Sequence, residues 1–256
     1  LTEFVIPEGV TEIKNSTFYN CTSLSKISFS DEQMKIRQGA FDSTAWYNSQ
    51  PDGMVILDDR LYTYKGEMPE NTSLVIPSTV THFAGPSTFK GQKNLVSITI
   101  PDSIEIIFNQ CFDGCENLRE VTLSEGLQTI GREAFRNCYN LEKIAFPSSL
   151  AHLNVASFKN CSQLTTVILP DDIKLKSVTT GVFYNCTNLS EINIPDGVEI
   201  IYDDVFTYCK SLTSLSLPDS VTEFDMNSIC HTSITHFVWP KNVRPIYMYE
   251  PKYKDG

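Results

Sequence analysis

The sequence predicts a repeat solenoid with a parallel β-sheet along one face and little helix. Three residue types keeping one step predict it. Cys115, Cys138 and Cys161 are 23 residues apart, Cys186 follows after 25 and Cys209 after 23. Pro147, Pro170, Pro195 and Pro218 repeat the steps of 23, 25 and 23, and Phe112, Phe135, Phe158, Phe183 and Phe206 keep the same beat. Periods of this length mark stacked supersecondary units.

Aligned on the proline, a unit reads Pro-x-x-apolar-x-x-apolar, then Phe, Cys, Leu and apolar-x-apolar. One instance is Pro195, Val198, Ile201, Phe206, Cys209, Leu212, Leu215 and Leu217; another is Pro147, Leu150, Leu153, Phe158, Cys161, Leu164, Val167 and Leu169. The landmark aromatic stands at Phe18, Phe41, Phe89, Phe112, Phe135, Phe158, Phe183 and Phe206, with Ile229 in that slot of the last unit. Thr44, Gln92 and Thr232 occupy the Cys slot where cysteine is missing. Stretches such as 190–194 and 119–123 alternate apolar and polar residues with period two, which predicts one strand per unit. The proline behind each strand ends it and opens a turn. No window keeps a helical period. A lone unit buries too few apolar side chains to offset the entropy of ordering its backbone, so neighbours must supply the stability.

The repeats seen in Leu141-Glu-Lys-Ile144-Ala-Phe146-Pro147 and Ala134-Phe135-Arg-Asn-Cys138 resemble the bacterial BspA-like leucine-rich repeats, related to those of treponemal surface proteins. The resemblance covers nearly the whole chain. It implies a right-handed leucine-rich-repeat solenoid, of a kind usually found on secreted or surface-anchored proteins of host-associated bacteria, and a role in adhesion or ligand binding.

The solenoid is expected over 1–240 as about nine units, with an irregular insertion near 46–73. There, two apolar runs flank Asp58 and Asp59, which favours a β-hairpin set into one turn. The competing reading is a decayed extra turn, since Pro51-Asp-Gly parallels Pro195-Asp-Gly. Trp46, Tyr47, Tyr62 and Tyr64 form either a binding protrusion or, as the favoured reading, packing onto neighbouring turns. The chain opens in mid-repeat without a polar cap, from which further sequence or a removed leader is expected ahead of it. Residues 241–256, with Tyr247, Tyr249 and Tyr253, are expected to cap the last turn or to act as a linking tail.

Function classes narrow from charge and motif. With 20 Lys+Arg against 31 Asp+Glu, the formal net charge is −11, which argues against nucleic acid and anionic membrane surfaces. No apolar run approaches the length of a membrane span. The eight cysteines are explained by the period. Cys21, Cys115, Cys138, Cys161, Cys186 and Cys209 share one slot, stack about 4.8 Å apart with parallel Cβ directions, and read as buried free thiols. Cys111 and Cys230 read as core. No metal or cofactor is expected: Cys111 and Cys115 lack a second ligand pair, and His82, His152, His231 and His236 keep no catalytic spacing. Asp58–Asp59, Asp171–Asp172 and Asp203–Asp204 read as solvated turn charges.

What remains is a binding face. The outward strand column of Ser28, Thr99, Thr122, Ala145, Ile168, Asn193, Ser216 and Val238 presents short groups in an ordered array. The mixed charges Arg119, Glu120, Glu142 and Lys143, with Thr122 and Thr99, form the candidate site. The expected function is a non-enzymatic, surface-exposed module that binds a host or neighbouring-cell protein or glycan, as a monomer. A structural spacer within a larger surface protein is the alternative. A hydrolase on surface polymers is remote, because no catalytic constellation is visible.

Overall fold

The alternating stretches become strands because each has one apolar row to bury and one polar row to leave in water. The structure, a computed structural model, describes residues 1–29 and 34–246. Its main ladder runs Thr72–Val75, Leu95–Thr99, Glu120–Thr122, Lys143–Ala145, Thr166–Ile168 and Glu191–Ile192, all parallel. Shorter pieces carry the same strand role towards either end, Glu3–Ile6 with Lys26–Phe29 and Ser214–Ser216 with His236–Val238. Within Glu120–Thr122 only Val121 is buried, and within Lys143–Ala145 only Ile144.

A second ladder corrects the expectation of one strand per turn. Ile106–Ile107, Thr129–Ile130 and His152–Leu153 pair in parallel, and Ser177–Val178, Ile200–Ile201, Glu223–Asp225 and Arg244–Ile246 form a further run. A two-residue strand is too short to show alternation, so its only sequence mark is the second apolar residue after the proline, as at Ile130 or Ile201. The ladder breaks between His152–Leu153 and Ser177–Val178, inside the 25-residue step. Beyond Ile246, the expected cap or linking tail lies outside the described residues.

The turns are bent by left-handed residues. The residue before the Cys slot has a positive φ throughout, including Asn20, Gly91, Gly114, Asn137, Asn160, Asn185 and Tyr208. Asparagine tolerates that region better than most side chains, which is why Asn-Cys recurs. The asparagines also join: Asn160 Nδ2 donates to Asn137 Oδ1 at 2.8 Å, and Asn185 Nδ2 to Asn160 Oδ1 at 3.1 Å. Asn137 Nδ2 in turn donates to Asp113, whose carboxylate also takes Arg136 at 3.0 and 2.8 Å.

The core is a stack of columns. Phe112, Phe135 and Phe158 lie nearly parallel with centroids 4.9 and 5.0 Å apart, and the column continues through Phe183 and Phe206. Beside it run Cys115, Cys138, Cys161, Cys186 and Cys209, each thiol donating to the carbonyl of a phenylalanine in the preceding turn at 3.1–3.3 Å. Burial pushes these thiols up, to about 12 at Cys115 and Cys209 and above the ordinary value at the others. All eight cysteines are free. Cys111 is buried, Cys21 half-buried, and Cys230, expected in the core, is exposed. Ile229 is likewise only partly covered.

The insertion divides this core. After Thr44, whose hydroxyl accepts from the Tyr47 amide at 3.0 Å, a single helical turn spans Ala45–Ser49. Gly53–Leu57 and Arg60–Lys65 then pair antiparallel across Asp58 and Asp59. The second of these also pairs in parallel with His82–Phe83, so one hairpin strand fills a place in the short ladder. Alternate side chains of this wall face opposite ways. Leu61 and Phe83 join the large C-terminal cluster, whereas Tyr62 and Ala84 join a smaller N-terminal one with Ile6, Leu24, Ile36 and Phe41. Trp46 and Tyr62 pack edge-on against Phe41, each with centroids 5.7 Å away. On the N-terminal side of the wall the Ile36 amide donates to the Ala84 carbonyl at 2.7 Å, beside Gly85, where a Cβ would lie 2.2 Å from the Ile36 oxygen.

Candidate functional site

The main ladder is in register, so residues one unit apart become neighbours on its outer face. Glu120 lies beside Ser97 on one side and Lys143 on the other, and Lys143 beside Thr166. One position earlier, the Arg119 amide donates to the Val96 carbonyl, and the Glu142 amide to the Arg119 carbonyl, which sets Arg119 next to Glu142. The result is a two-by-two checkerboard: positive Arg119 and negative Glu120 on one strand, negative Glu142 and positive Lys143 on the next.

These charges are placed for pairing yet stay unpaired. None of the four side-chain heads makes a hydrogen bond or an ion pair within 4.0 Å among the described residues. Elsewhere some neighbouring opposite charges pair, Lys26 with Glu3 at the same register position, Lys93 with Glu116 at 2.9 Å, and Lys176 with Glu199 at 3.0 Å, whereas Glu223 beside Arg244 in the short ladder does not. Over the checkerboard sits a hollow of about 690 Å³. Arg119, Glu120, Thr122, Glu142 and Lys143 line it, and Val96, Leu123 and Ala145 give it apolar patches.

Thr99, the remaining member of the expected set, pairs with Thr122 in register but does not line the hollow. Ser73 and Ser97 do line it. Ser73 was hidden because its strand, Thr72–Val75, falls at the edge of the irregular stretch; the alternation of Thr72-Ser-Leu-Val75 was the available signal. Among the described residues no group of three or more His, Cys, Asp or Glu side chains is arranged to hold a metal ion. No helix there is long and apolar enough to cross a membrane.

Strong electrostatic coupling lies on the turn side instead. Burial pushes the Glu133 carboxyl up, but the Gln110 hydrogen bond and the Arg136 and Arg132 guanidiniums outweigh it, and its pKa is lowered. Arg136 is held by its hydrogen bonds to Asp113. These groups tie successive turns together.

The family model for the BspA type leucine-rich repeat region matches in six copies, over residues 1–84, 82–178 and 156–250. Among solved structures, a leucine-rich repeat protein from Eubacterium ventriosum is similar at TM-score 0.57 and 20% identity, over 95% of this chain and 80% of that one. Another from Bacteroides ovatus is similar at TM-score 0.51 and 22% identity, over 96% of this chain and 74% of that one. No curated protein matches the sequence. Both structural relatives share the stacked-turn fold, and the matched segments run through nearly every unit described above; the chain belongs to the BspA-type leucine-rich repeat family.

Proposed function

We propose that this protein is a non-enzymatic binding module, displayed at a bacterial cell surface, whose outer strand face recognises a protein of a host or neighbouring cell. The observation that carries the reading is the unpaired checkerboard under its hollow. A charge held within reach of its opposite but left without it keeps its full hydrogen-bonding capacity for a ligand. Mixed charge of both signs beside Val96, Leu123 and Ala145 fits a polypeptide surface, with polar rim and apolar centre, better than it fits a neutral glycan. Surface display is supported by the family, whose resemblance implies secreted or anchored proteins.

The test is a binding screen over extracellular-matrix proteins and soluble glycans, with the double charge reversal Arg119→Glu/Lys143→Glu as control. A protein ligand whose affinity falls at least tenfold in the variant supports the reading. Ligands found only among glycans, or a protein ligand indifferent to the reversal, remove the checkerboard from the site. No ligand of either class favours a structural spacer.

A further inference from the structure

A second concavity lies where the insertion meets the array, away from the strand face. Its volume is about 220 Å³. Tyr47, Tyr62 and Tyr64 come from the insertion, Asp42 from the turn before it, and Ser87 and Gln92 from the turn after it. It exists only because the hairpin interrupts the repeat.

Its chemistry is selective. The Tyr62 hydroxyl accepts from the Phe41 amide at 3.1 Å and donates to Asp42 at 3.5 Å. That long contact is the only side-chain partner of Asp42 among the described residues. Burial raises the Asp42 pKa, as expected of a carboxylate taken from water with little compensation. Lys90, at the rim, is already committed to Asp113 at 3.2 Å and Gln110 at 3.1 Å. Of the two charged groups that line it, Asp42 is therefore the one left to meet a ligand, which disfavours phosphates and acidic sugars; Lys65, outside the lining, sits over the Tyr47 ring at 5.4 Å. The side chains of Ser87 and Gln92 make no internal hydrogen bond among the described residues and offer both donors and acceptors. Tyrosine rings supply apolar faces with polar tips.

We propose that this cavity binds one neutral sugar ring, with Asp42 accepting from two adjacent hydroxyls, Ser87 and Gln92 completing the hydrogen bonds, and a tyrosine ring covering the C–H face. The volume suits one ring and not a chain. The inference does not depend on the strand-face reading, because the two sites share no residue.

The experiment is saturation-transfer NMR and titration of the whole chain with the methyl glycosides of glucose, galactose, mannose and N-acetylglucosamine, and with tetramethylammonium. Transfer to the ring protons of at least one glycoside is expected. Its affinity should fall at least tenfold in Asp42→Asn and in Tyr47→Ala, and should not change in Lys174→Ala, an exposed position that lines neither hollow. Circular dichroism of each variant confirms that it folds, and Asp42→Asn keeps the shape of the side chain if Tyr47→Ala does not fold. Transfer to none of the four glycosides overturns the proposal. So does binding unaffected by a folded Asp42→Asn variant, and so does binding of tetramethylammonium alone, which would make the tyrosines a cation cage.

Discussion

Phe41→Ala tests whether the hairpin wall divides the protein into separately melting blocks. Phe41 is fully buried and touches four rings, Phe18, Phe29, Trp46 and Tyr62, with centroids 5.4 to 6.4 Å away. Truncating a buried phenylalanine costs about 3–5 kcal/mol. Each lost aromatic pair adds about 0.5–1.5 kcal/mol beyond area. The upper part of that range, about 5 kcal/mol, matches the entire stability of many domains. The N-terminal cluster, much the smaller of the two, should not survive it. The two tryptophans report separately, since Trp46 packs in the N-terminal cluster while Trp239 stands at the far end against Phe237, 4.7 Å away. Urea titrations would follow Trp46 fluorescence in a Trp239→Phe parent and Trp239 fluorescence in a Trp46→Phe parent. Phe41→Ala should abolish the Trp46 transition and move the Trp239 midpoint by less than about 0.5 M, at slopes of about 1–3 kcal/mol per molar urea. Equal shifts at both tryptophans would refute the division and make the solenoid one cooperative unit.

Asn160→Ala loses two side-chain hydrogen bonds of about 1 kcal/mol each and places alanine at a φ of 66°, for a total near 3 kcal/mol by chemical denaturation. Asn160→Gly should recover only the backbone share, and an equal cost for both would deny the strain. Charge removal in Arg119→Gln or Lys143→Gln should change stability by no more than about 0.5 kcal/mol, because neither has a partner to lose; a clear drop in melting temperature would reveal pairing in solution. Glu133 has a folded pKa below its usual value near 4.5, so its contribution is present above that value and lost as pH falls through the folded one. Melting temperatures from pH 6 to 3 should therefore decline less steeply below pH 4.5 in Glu133→Gln than in the parent, and parallel curves would count against it.

The solenoid was legible because Phe, Cys and Pro each occupy a slot that only one orientation of the turn can bury. The short ladder was not, since one apolar residue such as Ile130 serves equally as strand or as turn packing. Cys230 shows the limit of reasoning by slot: it falls beside Ile229 and outside the repeating Phe and Cys positions, so neither core column claims it. The charges of the site could be read from the sequence, and their neighbours followed from the period. That Arg119, Glu120, Glu142 and Lys143 remain unpaired could not, because it depends on rotamers and on the shape of the face. The tyrosine-lined cavity was hidden for another reason. Tyr62 and Gln92 are 30 residues apart in sequence, and only the docking of the hairpin brings them to one cavity.

The free thiols have a consequence for how such an array changes over time. Each turn from Phe112 to Phe206 carries its own phenylalanine, thiol and left-handed residue, and no disulfide joins one turn to the next. A gained or lost unit of 23 residues leaves no orphaned disulfide partner behind. The 25-residue step shows that smaller slips are tolerated too: the extra length interrupts the two-residue ladder, while the aromatic and thiol columns run through without a break. The architecture can therefore lengthen, shorten or take in a hairpin one turn at a time, and acquire a new cavity at whichever turn accepts it.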